Sequence, residues 1–226
     1  MSARILARSF MLLAVVCLSA PTAGLAATTS IWRGGPGYGF SGGFDVVPAM
    51  IAGKAWVLYG ARASYGPDAF RVMVFLAGVG EDSQWDMILA DPSPDDVRTF
   101  GSDLAGVGDV DGDGVDDIVV CAPLTMTSLE PDYPGGFYLY LGDRQISYTP
   151  DLEALIWAGE YRLIGRGVVG GGDFNFDGYD DFVIDAYRGD VSVGLVYFGG
   201  PALDDLPDLV IDNVRVVKPE PEPVVE

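Results

Sequence analysis

The sequence predicts an all-β chain built from repeated strand units, and three observations carry that expectation. Asp outnumbers Glu by 26 to 7, and the 226 residues include 31 glycines and 15 prolines. Asp, Gly and Pro serve turns, whereas Glu is the helix former among the acids. A 23-residue stretch recurs 64 positions later, residues 101–123 (GSDLAGVGDVDGDGVDDIVVCAP) over residues 165–187 (GRGVVGGGDFNFDGYDDFVIDAY). Ten columns are identical, at 101, 106, 108, 109, 113, 114, 116, 117, 119 and 122, where ordinary residue frequencies give about two by chance. Finally, the apolar runs inside both copies are four to six residues long and closed off by Gly and Asp clusters. That length and punctuation signal strands and not helices.

Composition narrows the function. Hydrophobic residues at 49% and aromatics at 12% suffice for a folded core. The 33 acidic residues against 13 basic leave a net charge of -20. Such a surface repels phosphate backbones, which argues against nucleic acid as a partner. Histidine is absent, which excludes Ser-His-Asp and Cys-His catalysis, His-ligated zinc and any imidazole acid–base step.

Residues 1–26 read as an export signal. Arg4 and Arg8 open it, residues 10–18 (FMLLAVVCL) form the apolar stretch, and Gly24-Leu25-Ala26 is the cleavage site. The stretch is shorter than the roughly 20 apolar residues that span a bilayer. A buried N-terminal helix is the alternative, and Cys17 lacks the preceding residues of a lipoprotein anchor. No later segment is expected to cross a membrane. Cleavage would remove Arg4, Arg8 and Cys17, leaving Cys121 alone. A secreted or periplasmic chain without an internal disulfide needs another source of stability.

Residues 27–99 are expected to hold a degenerate copy of the repeat. Residues 38–43 resemble a unit's start and residues 53–60 (GKAWVLYG) its glycine-bounded strand; residues 70–76 (FRVMVFL) are a strand without a counterpart, and no Asp-rich loop is present. Residues 100–163 and 164–213 are the two clear units. Each runs from a small-residue stretch to an Asp-rich loop, a β-branched run, and an aromatic strand between glycines, at 136–142 and 194–200. Residues 208–211 look like the first strand of a further unit. Residues 214–226, ending KPEPEPVVE, are expected to be a solvated extended tail.

The two loops carry the chemistry. Asp109, Asp111, Asp113, Val115 and Asp117 in the first, and Asp173, Asn175, Asp177, Tyr179 and Asp181 in the second, fit D-x-[DN]-x-D-G-x-x-D. Side-chain oxygens at positions 1, 3 and 5 turn inward, Gly at position 6 permits the turn, position 7 offers a carbonyl, and position 9 closes the shell. Such a nest suits Ca2+, which takes 6–8 oxygen ligands in flexible geometry; Mg2+ prefers an octahedron with several waters. Two Ca2+ sites are expected. The alternative is an Asp/Gly-rich surface turn that binds nothing. An EF-hand is excluded, because its twelfth-position Glu is replaced by Val120 and Ile184, each inside a β-branched run.

These residues resemble the FG-GAP repeat of integrin α-subunit β-propellers and of bacterial exported proteins. Phe100-Gly101 and Cys121-Ala122-Pro123 stand where the family has Phe-Gly and Gly-Ala-Pro, with its calcium loop between. In the second copy Ile164-Gly165 and Asp185-Ala186-Tyr187 depart from those flanks while the loop is intact. The resemblance implies four-stranded blades around an axis, calcium loops holding adjacent strands, and roles in adhesion or ligand recognition. Units of this size give about three blades, against 4–8 in closed propellers. Completion by a second copy, a fragment of a longer ancestral gene, and a compact non-propeller stack all remain open.

The expected function is an exported, calcium-stabilised, non-catalytic interaction or adhesion module, with a protein or a glycan as ligand. Trp32, Tyr65, Trp85, Tyr133 and Trp157 are candidate contact aromatics, although packing is the commoner use of such residues. A lectin-like propeller is the alternative, and a Ca2+-dependent polysaccharide-degrading enzyme a weaker one. A glycosidase needs two acids across a cleft; Glu81, Glu130, Glu153 and Glu160 lie in no recognisable motif, and Lys54 and Lys218 are the only lysines.

Overall fold

A computed structural model describes the backbone of strands at 13–14, 31–32, 44–51, 54–61 and 71–76, and residues 87–92, 99–123, 135–142, 148–155 and 161–213. Residues of the export signal other than Leu13 and Ala14, the tail at 214–226, and Tyr65, Trp85, Tyr133, Trp157, Glu81, Glu130 and Glu160 lie outside the described residues, as do the side chains of Trp32 and Lys54.

Among the described residues every regular element is a strand, so the fold is all-β. A short pair, β1 (Leu13–Ala14) with β2 (Ile31–Trp32), precedes three larger sheets. The first sheet is a four-stranded antiparallel meander of β3 (Phe44–Ile51), β4 (Lys54–Ala61), β5 (Arg71–Leu76) and β6 (Met87–Ala90). The second is the same meander in β7 (Asp103–Gly108), β8 (Asp117–Ala122), β9 (Gly136–Tyr140) and β10 (Leu152–Leu155). In the third, β12 (Val168–Gly172), β13 (Asp181–Arg188), β14 (Val191–Tyr197) and β15 (Leu209–Asp212) repeat it, and β11 (Tyr161–Arg162) pairs with the far end of β13. These are three blades of a partial propeller, since a meander of this size covers its apolar faces only by stacking against the next.

Two strand placements differ from the expectation. The chain at 208–211 opens no further unit: β15 is the fourth strand of the third sheet, with Val193 opposite Asp212 and Val196 opposite Leu209. Residues 54–60 fall on the second strand of the first sheet, and residues 71–76 supply the third. Short apolar strands look alike, and only pairing order separates a second strand from a third.

Local chemistry explains the turns around each unit. Gly101 N–H donates to the Cys121 carbonyl at 3.0 Å and Thr99 N–H to the Pro123 carbonyl at 2.9 Å, so the Phe-Gly and Cys-Ala-Pro segments close on each other. The second copy keeps this bond, Gly165 N–H to the Asp185 carbonyl at 3.0 Å. In both units the pairing register shifts just before the loop, between Gly106 and Gly108 and between Gly170 and Gly172. Gly108 and Gly172 hold φ of 84° and 74°. A glycine bulge of this kind bends the strand and aims the next residue elsewhere, and the next residue is Asp109 or Asp173.

Among the described residues one buried apolar cluster lies between the second and third sheets. Strand β8 is buried along its whole length, and β9 likewise. Phe137 of the second sheet meets Phe182 and Tyr197 of the third edge-on, with ring centroids 5.5 Å and 4.9 Å away, while Phe182 and Tyr197 stack at 5.1 Å. Cys121 is buried and forms no disulfide.

Candidate metal centre

Each loop leaves a bulge and enters the central strand of its sheet, and its carboxylates first satisfy the backbone N–H groups of its own tight turn. Asp109 accepts from Gly112 N–H and Gly114 N–H, both at 2.8 Å; Asp111 accepts from Asp113 N–H at 3.0 Å, and Asp113 from Val115 N–H at 2.8 Å. The second loop keeps most of the pattern, its first Asp taking the N–H four residues on in place of three. Asp173 accepts from Asp177 N–H and Gly178 N–H at 3.0 and 2.9 Å, Asn175 from Asp177 N–H at 3.0 Å, and Asp177 from Tyr179 N–H at 3.0 Å. Asp and Asn favour such turns because their short side chains reach the backbone two residues on.

The ninth position differs from the others. Asp117 and Asp181 are fully buried. Asp117 accepts Val110 N–H at 2.7 Å and Gly142 N–H at 2.6 Å, and Asp181 accepts Phe174 N–H at 2.6 Å and Gly199 N–H at 2.8 Å. Each therefore ties the start of its loop to the end of the third strand of its sheet, a bracing role the spacing alone did not reveal.

One carboxylate oxygen from each of Asp109, Asp111 and Asp117 lies within 4.8 Å of the others, the one acidic group of this kind among the described residues. Asp113 is exposed and stands outside it, its carboxylate turned to the Val115 N–H. Val115 and Tyr179 sit at the seventh positions, both half-buried. Asp173, Asn175 and Asp177 stay with their own turn, where Asn175 Nδ2 also donates to Asp177 Oδ2 at 2.9 Å.

The electrostatics match the crowding. Burial pushes the Asp117 carboxyl up to about 7, with the Asp111 and Asp109 charges adding to the rise and the Gly142 and Val110 N–H groups opposing it. Burial also raises Asp111, as do its neighbours Asp113 and Asp109. Asp116 is raised by burial, then by Asp180 and Asp109. The donor set is all oxygen and three carboxylates converge, with burial and then neighbouring charge disfavouring the ionised forms of Asp111 and Asp117; a hard divalent cation fits such a set and would relieve that charge.

Two further residues belong to the site's frame. Asp180, at the eighth position of the second loop, crosses to the first loop and accepts Asp109 N–H at 3.0 Å. Asp103 accepts Val168 N–H of the third sheet at 3.0 Å. The identity of columns 116 and 180 was the signal available for Asp180. Asp103 has glycine at its repeat equivalent, 167, so it left none.

Fold and loops together define a class, a repeat β-protein of blade-like sheets, two of which turn an acidic loop into their second strand. Residues 100–140 match the FG-GAP repeat, and the chain is similar to integrin α-subunits over part of its length. It is 31% identical over 98 residues to integrin alpha-4 of Xenopus laevis, covering 42% of this chain and 9% of that protein. Against integrin alpha-8 of Mus musculus it is 35% identical over 118 residues, 48% of this chain and 11% of that protein. Integrin alpha-8 of Gallus gallus gives 37% over 90 residues, 38% and 8%. The chain thus spans about a tenth of the length of these relatives. Among the described residues no helix is long and apolar enough to cross a membrane.

Proposed function

We propose that the protein is an exported, non-catalytic interaction module whose blades are held by two structural calcium ions. The carrying observation is the convergence of Asp109, Asp111 and Asp117 at the base of a loop whose bonds from the sixth-position glycine N–H to the first Asp and from the seventh-position N–H to the fifth recur in the second copy. Asp109, Asp111, Asp113, the Val115 carbonyl and Asp117 would hold one ion; Asp173, Asn175, Asp177, the Tyr179 carbonyl and Asp181 the other. The similarity to integrin α-subunits supports an adhesive partner over a substrate. The absence of histidine and the exposed position of Glu153 on β10 favour binding over catalysis.

A cation that binds only the folded form stabilises it by mass action, about 2.7 kcal/mol at a hundredfold excess over Kd. Calcium therefore raises the melting temperature, chelator lowers it, and Asp113→Ala and Asp177→Ala each weaken the response. An identical melt with calcium and with chelator would refute the proposal. Presenting the calcium-loaded protein to a glycan array and to polysaccharide substrates separates the partner classes: bound glycan without product indicates a lectin, product an enzyme, and neither a protein partner.

A further inference from the structure

The second loop does more than close on itself. Its last three positions, Tyr179, Asp180 and Asp181, face two ways. Asp181 seals the second loop through Phe174 N–H and Gly199 N–H. Asp180 grips the first loop in a two-point clasp, its carboxylate accepting Asp109 N–H at 3.0 Å and its own N–H donating to the Asp109 carbonyl at 3.0 Å. Gly200 N–H adds a third tie, to the Val110 carbonyl at 2.8 Å. The Tyr179 ring covers the same loop, since a Cβ on Gly112 would stand 2.5 Å from its Cε1. Asp109 is the first residue of the first loop and accepts two of that loop's N–H groups. Whatever fixes residues 179–181 therefore fixes the backbone on which the first loop is built.

We propose that Asp180 is a positioning residue that couples the two cation loops, so that loading the second raises the affinity of the first. The proposal rests on the calcium reading above. Coupling free energy is reciprocal, so loading the first loop raises the affinity of the second by the same factor. The sign is informative, because two cations acting through space alone would repel and give negative coupling. A hydrogen bond between a backbone N–H and a charged acceptor corresponds to about a tenfold effect.

The test is calcium titration calorimetry on the full chain, with backbone amide exchange in chelator as a metal-free readout. Disabling the second loop by Asp177→Ala raises the Kd of the first about tenfold, and disabling the first by Asp111→Ala raises that of the second by the same factor. In an Asp180→Ala background the coupling falls, because only the backbone bonds and the Tyr179 contact remain between the loops. Asp180→Asn, whose carbonyl still accepts the Asp109 N–H, restores the coupling. Without calcium, protection of the Asp109 amide falls in Asp180→Ala and persists in Asp180→Asn. Equal affinity of the first loop with and without a working second loop, negative coupling, or undiminished coupling in Asp180→Ala would each overturn the proposal. If the wild-type chain bound no calcium, the functional reading would fall and the coupling with it; if it bound two ions independently, only the coupling would fall. Should Asp180→Ala not fold, the two loop variants and Asp180→Asn still decide the matter.

Discussion

Asp117→Ala tests whether the ninth-position acid is a structural brace as well as a ligand. The side chain is fully buried and accepts two backbone N–H groups, from Val110 and Gly142. Truncation leaves both donors without a partner inside the protein, at about 1–3 kcal/mol each. Removing the carboxylate also relieves its repulsion with Asp111 and Asp109, which offsets part of the loss. The offset is limited near neutral pH, because a carboxyl raised to about 7 is already partly protonated there. The net expectation is about 3 kcal/mol of destabilisation in the absence of any cation, or about 6–12 °C in melting temperature for a chain of this size. Urea unfolding and thermal melts in excess chelator measure it. Asp113→Ala is the internal control: its carboxylate is exposed and bonds only the Val115 N–H, so in chelator it should cost less than about 1 kcal/mol. If Asp117→Ala unfolds in chelator within about 1 kcal/mol of wild type, or if the control costs as much, the bracing argument is wrong.

Three other outcomes follow from the same geometry. In chelator, stability falls as pH rises from about 4 to about 7, because the folded-state Asp117 carboxyl lies above its unfolded value of 3.8 and binds its proton more tightly when folded; urea midpoints across that range should fall less steeply in Asp117→Ala, and equal slopes would remove Asp117 as the cause. Gly170→Ala places a Cβ 2.6 Å from the Gly106 carbonyl oxygen and 2.6 Å from Val107 Cα, backbone atoms of the neighbouring sheet, and should cost about 1–3 kcal/mol or more; a neutral result by the same measurement would mean that β7 and β12 do not approach so closely. Phe176 holds φ of 64° with 90% of its surface exposed, so Phe176→Gly should be neutral or stabilise by up to about 1 kcal/mol as the strain is released, and a clear loss in the urea midpoint would show that the ring has a partner.

The parts of the site visible in the sequence are those fixed by short-range geometry. An Asp or Asn two residues before an N–H can cap it whatever the rest of the chain does, so the alternating oxygen-bearing side chains Asp109, Asp111 and Asp113 and Asp173, Asn175 and Asp177 were readable from spacing alone. The all-β class was readable for the same reason, from runs too short for helices. Two things were not. Strand order in the first sheet depends on pairing between segments that carry no loop to mark their place, so residues 53–60 were matched to the wrong strand. The start of a further unit at 208–211 failed likewise: its pattern is that of any short strand, and only the ladder to β14 shows that it completes the third sheet.

The Asp-Asp doublets at 116–117 and 180–181 have a physical reason that joins these observations. Each doublet stands where its loop enters the central strand of its sheet, with Asp117 opening β8 and Asp181 opening β13. Successive side chains on an extended strand point to opposite sides, so two adjacent acids cannot serve the same loop equally. Asp181 turns to its own loop and is buried there, while Asp180 turns to the neighbouring sheet and meets Asp109. Replacing one member of the doublet is therefore not equivalent to replacing the other. Loss of Asp181 removes two acceptors inside one sheet, whereas loss of Asp180 loosens the junction between two sheets. Cys121 forms no disulfide, so that junction rests on the Asp180 clasp, the Asp103–Val168 and Gly200–Val110 hydrogen bonds and the core around Phe137.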